Sequence, residues 1–366
     1  MIITHIDIYR YSIPMEPFTI ATGTMDFAQN LFIRVHTDAG IYGVGECSAF
    51  PMIVGETQST CYVMAQDFAK LWKGKDPLAI ADRMQELHLF TARNSTVKSA
   101  FDMALYDLAA KTANQPLYRF LGGSSTIRME TDLTIGIDTV ESMAAKAVAY
   151  VSNGVRIIKI KLGKDPITDI ARVKAIREAV GDAVVLRIDA NQGWSFEGAV
   201  QALTGMQQYN IQFCEQPMRA YNDHLGPQLK ALSPVPIMAD ESVFDHRDAI
   251  RLIDSDACQY VNIKLSKSGG LLEAIEINRA CAERTIPCMM GGMLESRLAV
   301  TACAHFATAH RNVAFYDMDT CLLGHKADPV TGGITYNGFL VELPDAPGLG
   351  ADVDDAFLHQ LEQIRI

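Results

Sequence analysis

The sequence predicts a βα barrel joined to a smaller α+β domain, with the C-terminal tail returning to that domain. Three observations carry this. From residue 157 onward, short apolar runs recur roughly every 25 residues and end in a charged group, a spacing that fits a strand, a helix and their loops. Residues 1–125 lack that texture and read first as strands, then as helices. Residues 323–366 turn β again but are too short to form a domain.

In order along the chain, Thr4–Tyr9 alternates, Asn30–Thr37 is apolar and β-branched, and a turn at Asp38-Ala39-Gly40 leads into Ile41–Cys47. This is an antiparallel meander. Ile20–Phe27, between its first strands, reads as a polar, glycine-containing loop. The period then becomes helical, best seen in Val97, Ala100, Phe101, Ala104, Leu105 and Leu108, a stripe read as core. From residue 126 strand and helix alternate. Asp138 with Glu141 gives a capping-box start to a helix ending at Gly154, and Pro166 opens another with Ile170, Val173 and Ile176 on one face and Gly181 past its end. Ser195 caps a third helix, and Gly269-Gly270 precedes a fourth bearing Leu272, Ile275 and Arg279. The barrel is expected over residues 126–322.

The run Ile157-Ile158-Lys159-Ile160-Lys161-Leu162 alternates strictly, so both lysines share one face. Alone, it reads as a strand with a basic solvent face. Downstream, however, Asp189, Glu215, Asp240, Lys264 and the pair Asp317 and Asp319 also end short apolar runs. Groups at the carboxyl ends of barrel strands converge on one mouth, and an open sheet would not gather so many. Asp189, Glu215 and Asp240 end three consecutive strands and would repel unless a cation binds them. Few oxygen ligands with open positions suit Mg²⁺. Lys161 and Lys264 would flank the metal from opposite sides, with Asp189, Asn191 and Asn262 able to hydrogen-bond them. A lysine acts as a base only when its pKa is lowered, here by Lys159 and the cation. A substrate carboxylate on Mg²⁺ could then lose its α-proton to one lysine, the metal holding the enediolate, and regain it from the other: a 1,1-proton transfer.

Composition sets the limits. The chain has 366 residues, 49% hydrophobic and 20% charged, with a net charge of −11. That describes an ordinary globular protein and speaks against nucleic acid or an anionic membrane as partner. Eight scattered cysteines, with no C-x-x-C, argue for reduced buried thiols rather than a zinc site. The start Met1-Ile2-Ile3-Thr4-His5 lacks a signal peptide's basic and apolar regions, and no run approaches the ~20 residues that span a bilayer. A cytoplasmic protein is expected.

K-x-K, the Asp189–Trp194 run D-A-N-Q-G-W, E-Q-P at Glu215, A-D-E-S at Asp240 and N-x-K-x-x-K at Lys264 together resemble the enolase superfamily, in its muconate-lactonizing-like subgroup. The likeness covers nearly the whole chain. It implies a modified TIM barrel, (β/α)₇β, under an α+β capping domain. It implies Mg²⁺ on Asp189, Glu215 and Asp240, with Lys161 paired against Lys264. The D-x-D of Asp317 and Asp319 looks like the dipeptide epimerase signature, in which these acids bind the dipeptide's ammonium while Mg²⁺ and Lys159 take its carboxylate. Otherwise it is an ordinary helix-start pair. Thr134 and, on the segment resembling the family's strand seven, Met293 and Glu295 are taken as further substrate contacts. In the family the early loop reaches the C-terminal side chain, which assigns Thr24 and Met25 to the substrate. Members that epimerise Ala-Glu carry an arginine there. Here Ile20–Phe27 has none, offers Asp26 instead, and faces the apolar Phe50, Pro51, Met52 and Ile53 of a second lid loop. The expected substrate is therefore Ala-Ala or Ala-hydrophobic, and family members are often homo-oligomers. Ala-Glu epimerase, o-succinylbenzoate synthase, N-succinylamino acid racemase and muconate cycloisomerase stay open. A sugar-acid dehydratase would want a histidine where Gly291-Gly292 stands, and the acid triad argues against a Schiff-base aldolase or a non-catalytic barrel.

Overall fold

A computed structural model describes all residues, 1–366. Strands β1 (Ile3–Ile20), β2 (Gly23–Thr37) and β3 (Tyr42–Ser48) form an antiparallel sheet. Its alternation is two-sided. Ile6, Ile8, Leu31, Ile33 and Val35 face the helices Gln58–Trp72 and Ser95–Thr112, burying Phe68, Trp72 and Phe101. Tyr9, Tyr11, Ile13 and Met15 face the barrel. The predicted stripe from Val97 to Leu108 is buried throughout. The helix Ser95–Thr112 lies so close to β3 that a Cβ on Gly43 or Gly45 would sit 1.9 Å from Ala104 O or Ala100 O.

After β4 (Met129–Glu130) come β5 (Leu133–Ile135), β6 (Ile157–Lys161), β7 (Val185–Asp189), β8 (Ile211–Glu215), β9 (Ile237–Ala239), β10 (Tyr260–Ile263), β11 (Cys288–Gly291) and β12 (Val313–Asp317). The last eight of these pair in parallel in chain order. The first and last approach where Asp132 N donates to Tyr316 O and Met318 N to Thr131 Oγ1. A helix follows each strand but the last, so the barrel is (β/α)₇β. The helix Val140–Ser152 is capped by Thr139, not Asp138. Asp138 instead accepts from Thr139 N and Ser142 Oγ, which moves the start one residue. Pro166, Ser195 and Gly270 start their helices as the sequence predicts, with Asp165 capping the one that Pro166 opens.

The tail splits its work. Strands β14 (Thr335–Asn337) and β15 (Leu340–Glu342) extend β4, and β13 (Val330–Gly332) pairs with β16 (Ala351–Val353). Only β17 (Glu362–Arg365) joins the capping sheet, on β1. Buried capping-domain carboxylates lock the two bodies. Glu46 accepts from Tyr11 Oη, Asn30 Nδ2 and Ser296 N through Oε1, and from Ser296 Oγ and Ala299 N through Oε2, at the start of the helix Arg297–Ala309. Asp102 accepts from Leu271 N at the start of Leu271–Ala282. All eight cysteines are free and only Cys321 is not fully buried. No helix is long and apolar enough to cross a membrane.

Candidate active site

Period-2 alternation makes the barrel interior a stack of layers. The floor is Phe213, Met238 and Met289, with Tyr260 and Phe315 packed on them. Arg187 lies over it, its guanidinium 5.2 Å from the Phe213 ring and 5.5 Å from Phe315. In register with Arg187 stands Lys159, and one pleat above, Lys161 pairs with Asp189 and Asp189 with Glu215. Asp240 and Lys264 follow β9 and β10 directly.

The three acids are fully buried and tied together by lysines. Lys161 Nζ donates to Asp189 Oδ2 at 2.6 Å. Lys159 Nζ reaches Glu215 Oε2 at 2.6 Å and Asp317 Oδ2 at 2.7 Å, and Lys264 Nζ lies 2.8 Å from Asp240 Oδ2. Lys267, not singled out as a site residue, sits on Asp240 Oδ1 at 2.6 Å and on Asn262 O. The Asn262 side chain does not bond a lysine; it donates to Glu215 Oε1 at 2.7 Å, and Asn191 turns to Glu241. Gly291 is required here, because a Cβ would meet Asn262 at 2.5 Å.

The charges follow. Burial pushes the Glu215 carboxyl up, and the neighbouring Asp189 adds to this, to about 7. Burial also opposes ionisation of Asp240, but Lys264 and Lys267 hold it well below the usual range. Lys264 feels two opposing effects. Burial pushes it down, yet the Asp240 and Glu215 carboxylates hold it above its ordinary value. The lowering expected of a base would come from a cation on those same carboxylates, offsetting their hold. The donor set fits a hard divalent cation: Asp189, Glu215 and Asp240 are three fully buried carboxylates offering only oxygen donors, their charge met by lysine ammonium groups.

At the opposite wall Asp319 Oδ2 accepts from Thr134 N at 2.7 Å. Burial and then Asp317 push the Asp319 carboxyl up to about 7. Burial acts the same way on Asp317, but Lys159 overrides it and brings that group to about 2. Glu295 is buried with its carboxylate on Met293 N, so it shapes the turn after β11, and Met293 is buried beside it. The segment Ile20–Phe27 is not a loop. β1 and β2 stay paired through Phe18 with Met25 and Ile20 with Gly23, leaving a turn at Ala21-Thr22. Alternation then buries Met25 and exposes Thr24 and Asp26, with Thr24 Oγ1 on Thr19 Oγ1 at 2.8 Å. Lys164, a cation outside the hairpin, donates to Ala21 O at 2.8 Å.

Two family models match the chain: "Mandelate racemase / muconate lactonizing enzyme, N-terminal domain" over residues 3–122 and "Enolase C-terminal domain-like" over residues 142–357. The chain belongs to the enolase superfamily. As the motifs implied, its family is that of mandelate racemase and muconate lactonizing enzyme, and it is an isomerase. Among its relatives, the D-Ala-D/L-Ala epimerase of Cytophaga hutchinsonii is 44% identical over all of both chains. The hydrophobic dipeptide epimerase of Enterococcus faecalis is 39% identical over 92% of this chain and 95% of its own. The L-Ala-D/L-Glu epimerase of Bacillus subtilis is 38% identical over 96% of each. The Cytophaga hutchinsonii dipeptide epimerase, solved with Mg and D-Ala-L-Val, matches the whole fold with a TM-score of 0.98. The Enterococcus faecalis dipeptide epimerase with Mg and L-Leu-L-Tyr matches with 0.93, over 96% of this chain and all of its own.

Proposed function

We propose that this enolase-superfamily enzyme is a Mg²⁺-dependent dipeptide epimerase that inverts the α-carbon of the C-terminal residue. One observation carries the reading: two buried acids, Asp317 and Asp319, face the barrel interior beside Lys159, across from lysines on β6 and after β10. A dipeptide is a zwitterion. Its ammonium suits Asp317 and Asp319, and Lys159 and the metal site suit its carboxylate. Asp189, Glu215 and Asp240 would hold the cation, whose charge, when bound, stabilises negative charge developing next to the carboxylate. The same charge offsets the hold of Asp240 on Lys264 and frees that lysine to exchange a proton. Lys161 takes the α-proton on one face and Lys264 returns one on the other. In the opposite direction the two exchange roles.

For the substrate side chain, the buried Met25 and Phe50 and the absence of a cation in the hairpin favour small or apolar residues. Asp26 no longer enters this argument, since it faces solvent. Lys164 is occupied by Ala21 O. The test is α-proton exchange in D₂O over a dipeptide panel, with and without a chelator. Deuterium should enter only the C-terminal residue of Ala-Ala and Ala-Phe and stop under EDTA. Exchange in the N-terminal residue, or full exchange under EDTA, refutes the reading.

A further inference from the structure

Next to Asp317 and Asp319 lies a third acid, outside the motifs quoted above. Asp132, just before β5, is fully buried. Its Oδ2 accepts from Arg187 Nη1 at 2.8 Å, and the same guanidinium donates to Tyr316 O and to Gln212 Oε1. Serving as counter-ion to Arg187 accounts for that oxygen only. Oδ1 is buried and receives no hydrogen bond. It also leaves unexplained the company Asp132 keeps: one carboxylate oxygen from each of Asp132, Asp317 and Asp319 lies within 4.8 Å of the other two. Lys159 sits on Asp317 and Arg187 on Asp132, but Asp319 has no ion-pair partner, so three buried carboxylates share two cations and still favour a further donor of positive charge.

An alkylammonium is a donor that this spacing admits. An alkylammonium presents three N–H groups. Oxygens hydrogen-bonded to it at ~2.8 Å in tetrahedral directions stand about 4.6 Å apart. We infer that Asp132 is the third wall of the ammonium pocket, completing with Asp317 and Asp319 a cage of three acceptors. It is thereby a specificity-determining residue that selects a free, protonated amino terminus and rejects N-acylated substrates. An acylated nitrogen brings no charge and at most one N–H, and so leaves the acids facing each other. The inference rests on the proposed reading of Asp317 and Asp319. Arg187, stacked on the floor, fixes Asp132 from below.

The experiment compares Ala-Ala with propionyl-alanine, which has nearly the same shape and no ammonium group, the latter as a competitive inhibitor. In the parent enzyme Ala-Ala should bind at least about a hundred-fold better. In Asp132→Asn its KM should rise about ten-fold or more, with kcat within about three-fold, while the Ki of propionyl-alanine stays level or falls. A general structural defect would weaken both ligands alike. If Asp132→Asn does not fold, the double variant Asp132→Ser/Arg187→Met removes the pair together and should give the same split. A folded variant that keeps the parent ratio of the two constants overturns the inference and leaves Asp132 a counter-ion. A parent enzyme that binds both ligands equally well overturns the ammonium reading itself.

Discussion

Replacing Glu46 by Gln should loosen the capping domain from the barrel by an amount the structure allows one to work out. The carboxylate is fully buried and takes five donors. A glutamine oriented with its oxygen at Oε1 keeps the Tyr11, Asn30 and Ser296 N–H contacts. At Oε2 the Ser296 hydroxyl can turn and accept from the new amide, but Ala299 N–H faces another donor and is left unpaired. A buried unpaired N–H costs about 1–3 kcal/mol. Losing the negative charge at the N-terminus of Arg297–Ala309 costs about 1–2 kcal/mol more in a buried setting. Part of this is returned, since a charge no longer has to be buried. The net is about 2–4 kcal/mol. With an unfolding entropy of ~2.1 cal/mol/K per residue, a chain of 366 residues loses about 3–5 °C in Tm. Calorimetry at pH 7 measures this. A Tm within about 1 °C of the parent would refute the view that Glu46 anchors the domains.

Lys161→Ala should abolish α-exchange from one epimer and Lys264→Ala from the other, with epimerisation reduced about 10²–10⁴-fold in each; NMR of single epimers in D₂O reads this, and parent-rate interconversion by either variant rules out two bases. kcat/KM should be higher for Ala-Ala and Ala-Phe than for Ala-Glu, and a clear preference for Ala-Glu would discard the reading of the hairpin. His305 accepts from Tyr118 N, faces Leu349 O, and is brought to about 4 by burial. Its folded pKa is depressed below the unfolded value of ~6.5, so its stabilising contribution is complete above that value and lost as pH falls through about 4. That amounts to about 3 kcal/mol. Urea midpoints at pH 7 and pH 4 should differ less in His305→Asn than in the parent; an equal difference removes His305 from the acid response.

The strand-end charges were legible because two regularities coincide: side chains alternate along a strand, and βα units recur at one length. Lysine, acid and acid-pair therefore fall on one mouth by sequence spacing alone. Groups reached by a different geometry did not. Lys267 returns to Asp240 through the single turn Leu265–Ser268, whose period is not that of the strand carrying Asn262. Asp132 meets Asp317 and Asp319 only because β5 and β12 close the barrel, bringing an acid before the first strand beside the last. Glu46 read as one more strand residue, its partners lying beyond any local pattern. The hairpin misled for a similar reason. Thr22, Gly23 and Asp26 have turn composition, but the long pairing of β1 with β2 overrides it and so decides that Met25 points inward and Asp26 outward.

The pairing of β17 with β1 has a consequence for the order of events during synthesis. Asp7, Ile8, Tyr9 and Arg10 leave the ribosome before the barrel does, and their neighbours Glu362–Arg365 only after it. Until β17 emerges, the outer edge of β1 offers free N–H and C=O groups to any other strand. The capping sheet, begun before the barrel, is finished only after it, when β17 closes that edge. A change that displaces β17 therefore perturbs β1, far more than the distance between the two in sequence suggests.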